Sequence, residues 1–148
     1  MSTTPTLICD ALITRLAAAL PSHTRLPNAY KPEENSSLYL KQAYGVAIGS
    51  GIDTRRSLSC QMSTSRSFVI KIARKYYARE NDGASKFVTE KALLEDLKLV
   101  RTSLEKTNPI EATIKSDYAG DGGIEYVQTE DDSFMMIQAV FAVEYFEA

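Results

Sequence analysis

The chain has 148 residues, with 17 Lys and Arg against 19 Asp and Glu, a net charge of −2, and 44% apolar and 24% charged residues. That length suits one domain that buries about two-thirds of its unfolded surface without a disulfide or metal staple, and the balanced charge removes the broad basic footprint of a dedicated nucleic-acid binder. No basic-then-apolar leader opens it and no run reaches the roughly eighteen apolar residues of a membrane span, so the expectation is one soluble domain over 1–148 with no membrane partner.

The first element is signalled from both ends. Thr4 suits a cap, Pro5 suits the first helical position and Pro21 marks a stop. Between them Ile8, Leu12, Leu16 and Leu20 recur every four residues, flanked by Leu7, Ala11 and Ala19, which predicts one buried helical stripe. The next segment, "PSHTRLPNAYKPEENSS", is punctuated by three prolines and reads as an exposed connection. A strand follows over about Leu38–Ile48, with Leu38, Leu40, Tyr44, Val46 and Ile48 on one side and Gly45 on the other. Residues 49–67 are Ser/Thr-rich, hold Arg55, Arg56 and Arg66, and read as a long loop with parts pairing as short strand.

"SFVIKIARKYYAR" sets Phe68, Ile70 and Ile72 against Val69, Lys71, Ala73 and Lys75, a half-buried strand with a basic outer side. Asn81-Asp82-Gly83 turns the chain. A second helix is predicted from about Lys86 to Lys106, with Leu93, Leu97, Val100 and Leu104 on one stripe, helped by Leu94. Ile110 to Tyr118 alternates as a strand, "DYAGDGG" (117–123) reads as an acidic turn, Ile124–Gln128 as a short strand and "TEDD" as another turn. The predicted class is α+β: a mainly antiparallel sheet of four to five strands with two helices packed on one face.

The last stretch, "DSFMMIQAVFAVEYFEA", poses a problem. Its odd set is a clean core face: Met135, Ile137, Ala139, Phe141, Val143 and Tyr145. Its even set, Phe134, Met136, Gln138, Val140, Ala142, Glu144 and Phe146, is mostly apolar too, where a half-solvated strand should turn polar. Phe134 to Phe146 would span about 40 to 45 Å, against a diameter near 38 Å for a domain of this size. Either the strand bends at a bulge or part of it serves a neighbouring subunit.

Conventional active sites are hard to build. His23 is the single histidine and sits in a polar, proline-flanked segment, which reads as a surface residue. Cys9 and Cys60 stand far apart without a CxxC partner and read as reduced thiols. The "GSG" at 49–51 lacks the continuation of either phosphate-binding fingerprint. "DYAGDGG" places Asp117, Asp121 and Gly122 at positions one, five and six of a calcium loop, but Ala119 and Gln128 stand where two further ligands belong. No catalytic residue, cofactor or metal is therefore expected, and the chain does not read as an enzyme.

What remains is a segregation of charge. Arg55, Arg56 and Arg66, with Lys71, Arg74 and Lys75, are basic, whereas Asp117, Asp121, Glu125, Glu130, Asp131 and Asp132 are acidic. Opposite signs on one subunit suit head-to-tail contacts that close into rings. The helix "TLICDALITRLAAAL", the strand "SLYLKQAYGVAIGSG", "RSFVIKIARKYYARE", "KALLEDLKLVRTSLEK" and the terminal "DSFMMIQAVFAVEYFEA" together resemble the tail terminator proteins of long-tailed bacteriophages. The resemblance covers nearly the whole chain and rests on layout. It implies a virion structural protein of the tail and neck, assembled in the host cytoplasm as a homo-oligomeric ring, a hexamer. Such a ring ends tail-tube polymerisation, contacts the tail tube protein, docks a head-completion or stopper protein, and passes DNA through its lumen as cargo.

On this reading Arg55, Arg56, Arg66, Phe134, Met136, Val140 and Phe146 form protein interfaces. Asp117, Asp121, Glu130, Asp131 and Asp132 face the lumen or a subunit seam, because a conduit should not grip phosphates. Two other readings stand beside it: a head–tail stopper or other neck ring, and a small nucleic-acid-binding module built on "KIARKYYAR".

Overall fold

A computed structural model describes residues 5–26, 42–55, 62–76, 83–105, 115–128 and 133–147. Helix α1 (Pro5–Ala19) starts at the proline and stops two residues short of Pro21. Its four-residue repeat is the buried stripe: Ile8, Leu12, Leu16 and Leu20 are covered, while Leu7 on the flank is exposed. The chain then adds a two-residue strand, β1 (Thr24–Arg25), parallel to β2 (Gln42–Arg55). Residues 27–41, and with them Leu38 and Leu40, lie outside the described residues.

Strand β2 runs seven residues beyond the predicted end at Ile48. It pairs with β3 (Met62–Tyr76) antiparallel from Gln42↔Arg74 to Arg55↔Met62, with a bulge between Ile48 and Gly51. Most of the segment read as a long loop is thus a paired hairpin arm. Ser and Thr carry no obligate loop preference once the backbone donors and acceptors of both arms satisfy one another. Helix α2 (Gly83–Leu104) follows, then β4 (Lys115–Gln128) and β5 (Ser133–Glu147). The sheet order is β1-β2-β3-β5-β4, so the terminal strand is interior to the sheet.

The class is α+β as expected, with two helices and a mostly antiparallel sheet. The acidic turn anticipated at 117–123 is instead part of β4, which absorbs its glycines as two bulges, between Tyr118 and Gly120 and between Asp121 and Ile124. Gly120 (φ 124°) and Gly123 (φ 82°) take backbone angles that side chains with a Cβ rarely adopt. One strand stands where two and a turn were predicted.

Both helices pack on one face of the sheet. The odd set of β5, from Met135 to Tyr145, joins Phe68, Ile70, Ile72, Tyr44, the α1 stripe and Leu93, Leu97, Val100 and Leu104 in a single core. Fully burying an aliphatic or aromatic side chain contributes about 1.5–3 kcal/mol, so this face dominates the stability of the domain. The length of β5 needs no bend, because β3 is equally long and pairs with it without interruption from Tyr76↔Ser133 to Met62↔Glu147.

Candidate assembly surfaces

The sheet's second face carries the even set of β5. Phe134 and Met136, expected to be bare in a lone chain, are 8% and 3% exposed. Phe134 packs with Leu26 and Ala43 in a second, smaller cluster, so Leu26, just past β1, covers this end of the sheet. Both residues are thus already covered by their own chain, which corrects the expectation of an apolar patch there. Further along, Gln138, Val140 and Ala142 are half-buried and Glu144 is exposed. The opposing row from β3 runs Lys71, Val69, Ser67, Ser65, of which Val69 and Ser67 are half-buried and Ser65 is exposed. The open part of this face is therefore the Val140–Glu144 end. The side chain of Phe146 lies outside the described residues.

The basic loop residues divide. Arg66 is occupied within its own chain: its Nη1 donates to the Gly49 carbonyl at 3.1 Å and its Nε to the Tyr145 hydroxyl at 3.4 Å. The bulge between Ile48 and Gly51 takes Gly49 out of the ladder, and the guanidinium supplies the donor its carbonyl would lack. An arginine assigned to a partner thus stabilises an internal irregularity. Arg55 closes β2 opposite Met62, while its side chain, and all of Arg56, fall outside the described residues.

His23 is the second correction. Its side chain is only 5% exposed, and Nε2 stands 3.1 Å from Oδ2 of Asp96. Asp96, equally buried, also accepts a bidentate pair from Arg74, Nε to Oδ2 at 2.7 Å and Nη2 to Oδ1 at 2.9 Å. A carboxylate only accepts, so Nε2 donates to it, and Nδ1 is buried without a hydrogen-bond partner. Burial pushes the Asp96 carboxyl up, but the hydrogen bonds and charges of His23 and Arg74 outweigh it and hold the group below the usual carboxylate range. The triad ties the α1–β1 connection, α2 and β3 together. It is a clasp between elements.

On the helix side of β4 a second polar group joins strand to helix. The Tyr118 hydroxyl donates to Asp121 Oδ2 at 2.5 Å, and Asp121 Oδ1 accepts from the Gly123 amide at 2.8 Å. The Tyr118 hydroxyl and Gly123 amide hold the Asp121 carboxyl low. Arg101 stacks over the Tyr118 ring at 4.0 Å and donates to Glu105 at 2.9 Å. Between these groups and Leu94, Leu97, Lys98 and Thr102 lies an open groove of about 440 Å³. Asp121, assigned to a lumen or seam, is thus engaged in shaping the bulge. Asp117 is exposed on the other face, while Glu130, Asp131 and Asp132 fall outside the described residues.

Among the described residues, most of the exposed large apolar side chains are on α2. Phe87, Val88, Leu94 and Leu99 are 51–65% exposed, so Leu94, predicted to help the buried stripe, points away from it. At 100° per residue, Phe87, Lys91, Leu94 and Lys98 form one line of 4-3-4 spacing on the side away from Leu93, Leu97 and Val100. Lys91 sits over the Phe87 ring at 4.4 Å. The signal lay in the sequence: apolar residues at 87, 88, 94 and 99 fall off the 93/97/100/104 stripe and have no place in the core.

Among the described residues no three His, Cys, Asp or Glu side chains converge as a metal site, and no helix is long and apolar enough to cross a membrane. Cys9 is half-buried, and burial raises its thiol pKa.

No protein-family model matches the chain, and no curated protein sequence matches it. Among solved structures, a chain in the virion of a native gene transfer agent (GTA) particle is similar over 94% of both chains, with 13% identity and a TM-score of 0.47.

Proposed function

We propose that this chain is a virion structural protein that assembles into a ring at the head-proximal end of a phage-type tail tube, ends the growth of that tube and presents the docking surface for the head. Layout and surface support the reading together. The order helix, hairpin, helix, hairpin, ending in a long strand interior to the sheet, is the layout by which the sequence resembles tail terminators. The observation that carries it is that Phe87, Val88, Leu94 and Leu99 all stand exposed around the outer side of a helix whose other side is packed. Large apolar side chains gathered on one exposed element mark surfaces that other proteins cover. With each side chain about half exposed, covering all four would contribute on the order of 4 kcal/mol per subunit before the cost of association.

The proposed activity is mechanical, so no catalytic residue is assigned. DNA passes through the ring as cargo, and a conduit works by not holding phosphates. The test is native mass and negative-stain imaging of the purified chain, alone and mixed with the tail tube protein of its particle. A closed ring, free or capping tube ends, with tubes of limited length, is the expected result. Tubes that grow equally long with and without the chain, and carry no density at their ends, overturn it.

A further inference from the structure

We infer that neighbouring copies join head to tail by seating the outer face of α2 of one subunit on the open end of the second sheet face of the next. The inference rests on the ring reading and names its seam. The two surfaces lie on opposite sides of the molecule, because α2 packs on the odd-numbered face of β5 and the even-numbered residues face away from it. Each carries apolar side chains among its charges. On α2 they are Phe87 and Leu94, which project along one line with Lys91 and Lys98; on the sheet they are half-buried Val140 and Ala142 of β5 with Val69 of β3, which are short and leave a shallow floor. Large side chains on one surface and small ones on the other are the shape relation that packs a helix onto a sheet.

Their charges are opposite. The α2 face carries Lys91 and Lys98, with Arg101 at its flank, against Glu95. At the open end the sheet margin carries Asp117 of β4 and Glu144 of β5, both exposed, whereas Lys71 and Lys75 of β3 and Glu125 of β4 lie toward the covered end, beside Gln138, Phe134 and Met136. The register sets Asp117 opposite Ala142, which places it on this face and not on the helix side. Two patches on opposite sides of one molecule cannot meet reciprocally across a two-fold axis. The contact is therefore heterologous, the kind that propagates in one direction and closes into a ring. Charge steers the encounter and fixes its polarity, while the apolar side chains hold it.

The experiment uses two charge-reversed full-length chains, Lys91→Glu with Lys98→Glu, and Asp117→Lys with Glu144→Lys. All four positions are exposed, and circular dichroism with thermal melts establishes that each variant folds. Sedimentation of the wild type up to millimolar concentration should give a closed oligomer, and each variant alone should fall to monomer or lose at least tenfold in association constant. Mixing the two variants in equal amounts should restore the oligomer, because every seam then pairs an acidic α2 with a basic sheet margin or the reverse. Variants that assemble like wild type, or folded variants that stay apart when mixed, overturn this seam and leave the ring standing. A wild-type chain that remains monomeric throughout, and also fails to cap tubes, overturns the ring and the seam together.

Discussion

Removing the Asp96 carboxylate should be among the most damaging single changes to this chain. In Asp96→Ala both Arg74 and His23 lose their anionic partner inside the fold. Breaking a buried ion pair from one side typically costs about 3–5 kcal/mol, but the Arg74 side chain is 28% exposed and turns partly to water. The expected loss is therefore about 3 kcal/mol, a large share of the roughly 5–15 kcal/mol that stabilises an ordinary domain. Urea unfolding followed by circular dichroism should show a lowered midpoint with an unchanged slope.

The same network gives a sign for pH. The folded Asp96 carboxyl is held below its ordinary range, so its contribution is present above the unfolded pKa and is lost as pH falls through the lower, folded one. Wild type should lose stability on acidification below about pH 4, and Asp96→Asn should show a flatter profile over that window. A loss under about 1 kcal/mol in Asp96→Ala, or an acid profile unchanged in Asp96→Asn, would mean that the clasp is not what joins these elements.

The two faces of β5 should respond differently to truncation. Phe141→Ala empties a fully buried site and should cost about 3–5 kcal/mol, whereas Val140→Ala, half-buried on the other face, should stay under about 1.5 kcal/mol; equal costs in urea melts would contradict the assignment of faces. Gly123→Ala puts a Cβ on a residue at φ 82° with nothing within 4 Å of it, so the cost is backbone strain alone, about 1 kcal/mol. Gly122→Ala, with equal room and no positive φ, should be near neutral, and matching melting temperatures for the two variants would refute the strain argument.

Local periodicity was enough for the elements whose neighbours in sequence are also their neighbours in space. The 8/12/16/20 stripe of α1, the 93/97/100/104 stripe of α2 and the odd set of β5 declare their buried sides because side-chain direction follows directly from helix and strand geometry. The same periodicity, followed one step further, marks Phe87, Val88 and Leu99 as residues left over, which is the part of the candidate surface legible in the chain alone. The glycines of "DYAGDGG" show the limit: a turn and a bulged edge strand both call for positive φ, and only the ladder to β5 distinguishes them.

The rest was decided by packing between distant segments. His23 and Asp96 are 73 positions apart, and no local pattern says that a histidine in a polar, proline-flanked segment will be buried against a helix. Arg66 reads as a loop cation until the bulge at Gly49 supplies a carbonyl that needs it. Phe134 was legible as apolar but not as covered, because Leu26, which packs with it, stands more than a hundred residues earlier. A sequence fixes which way each side chain points from its own backbone; what waits there is set by the free energy of bringing remote segments together, and that exists only in the folded molecule.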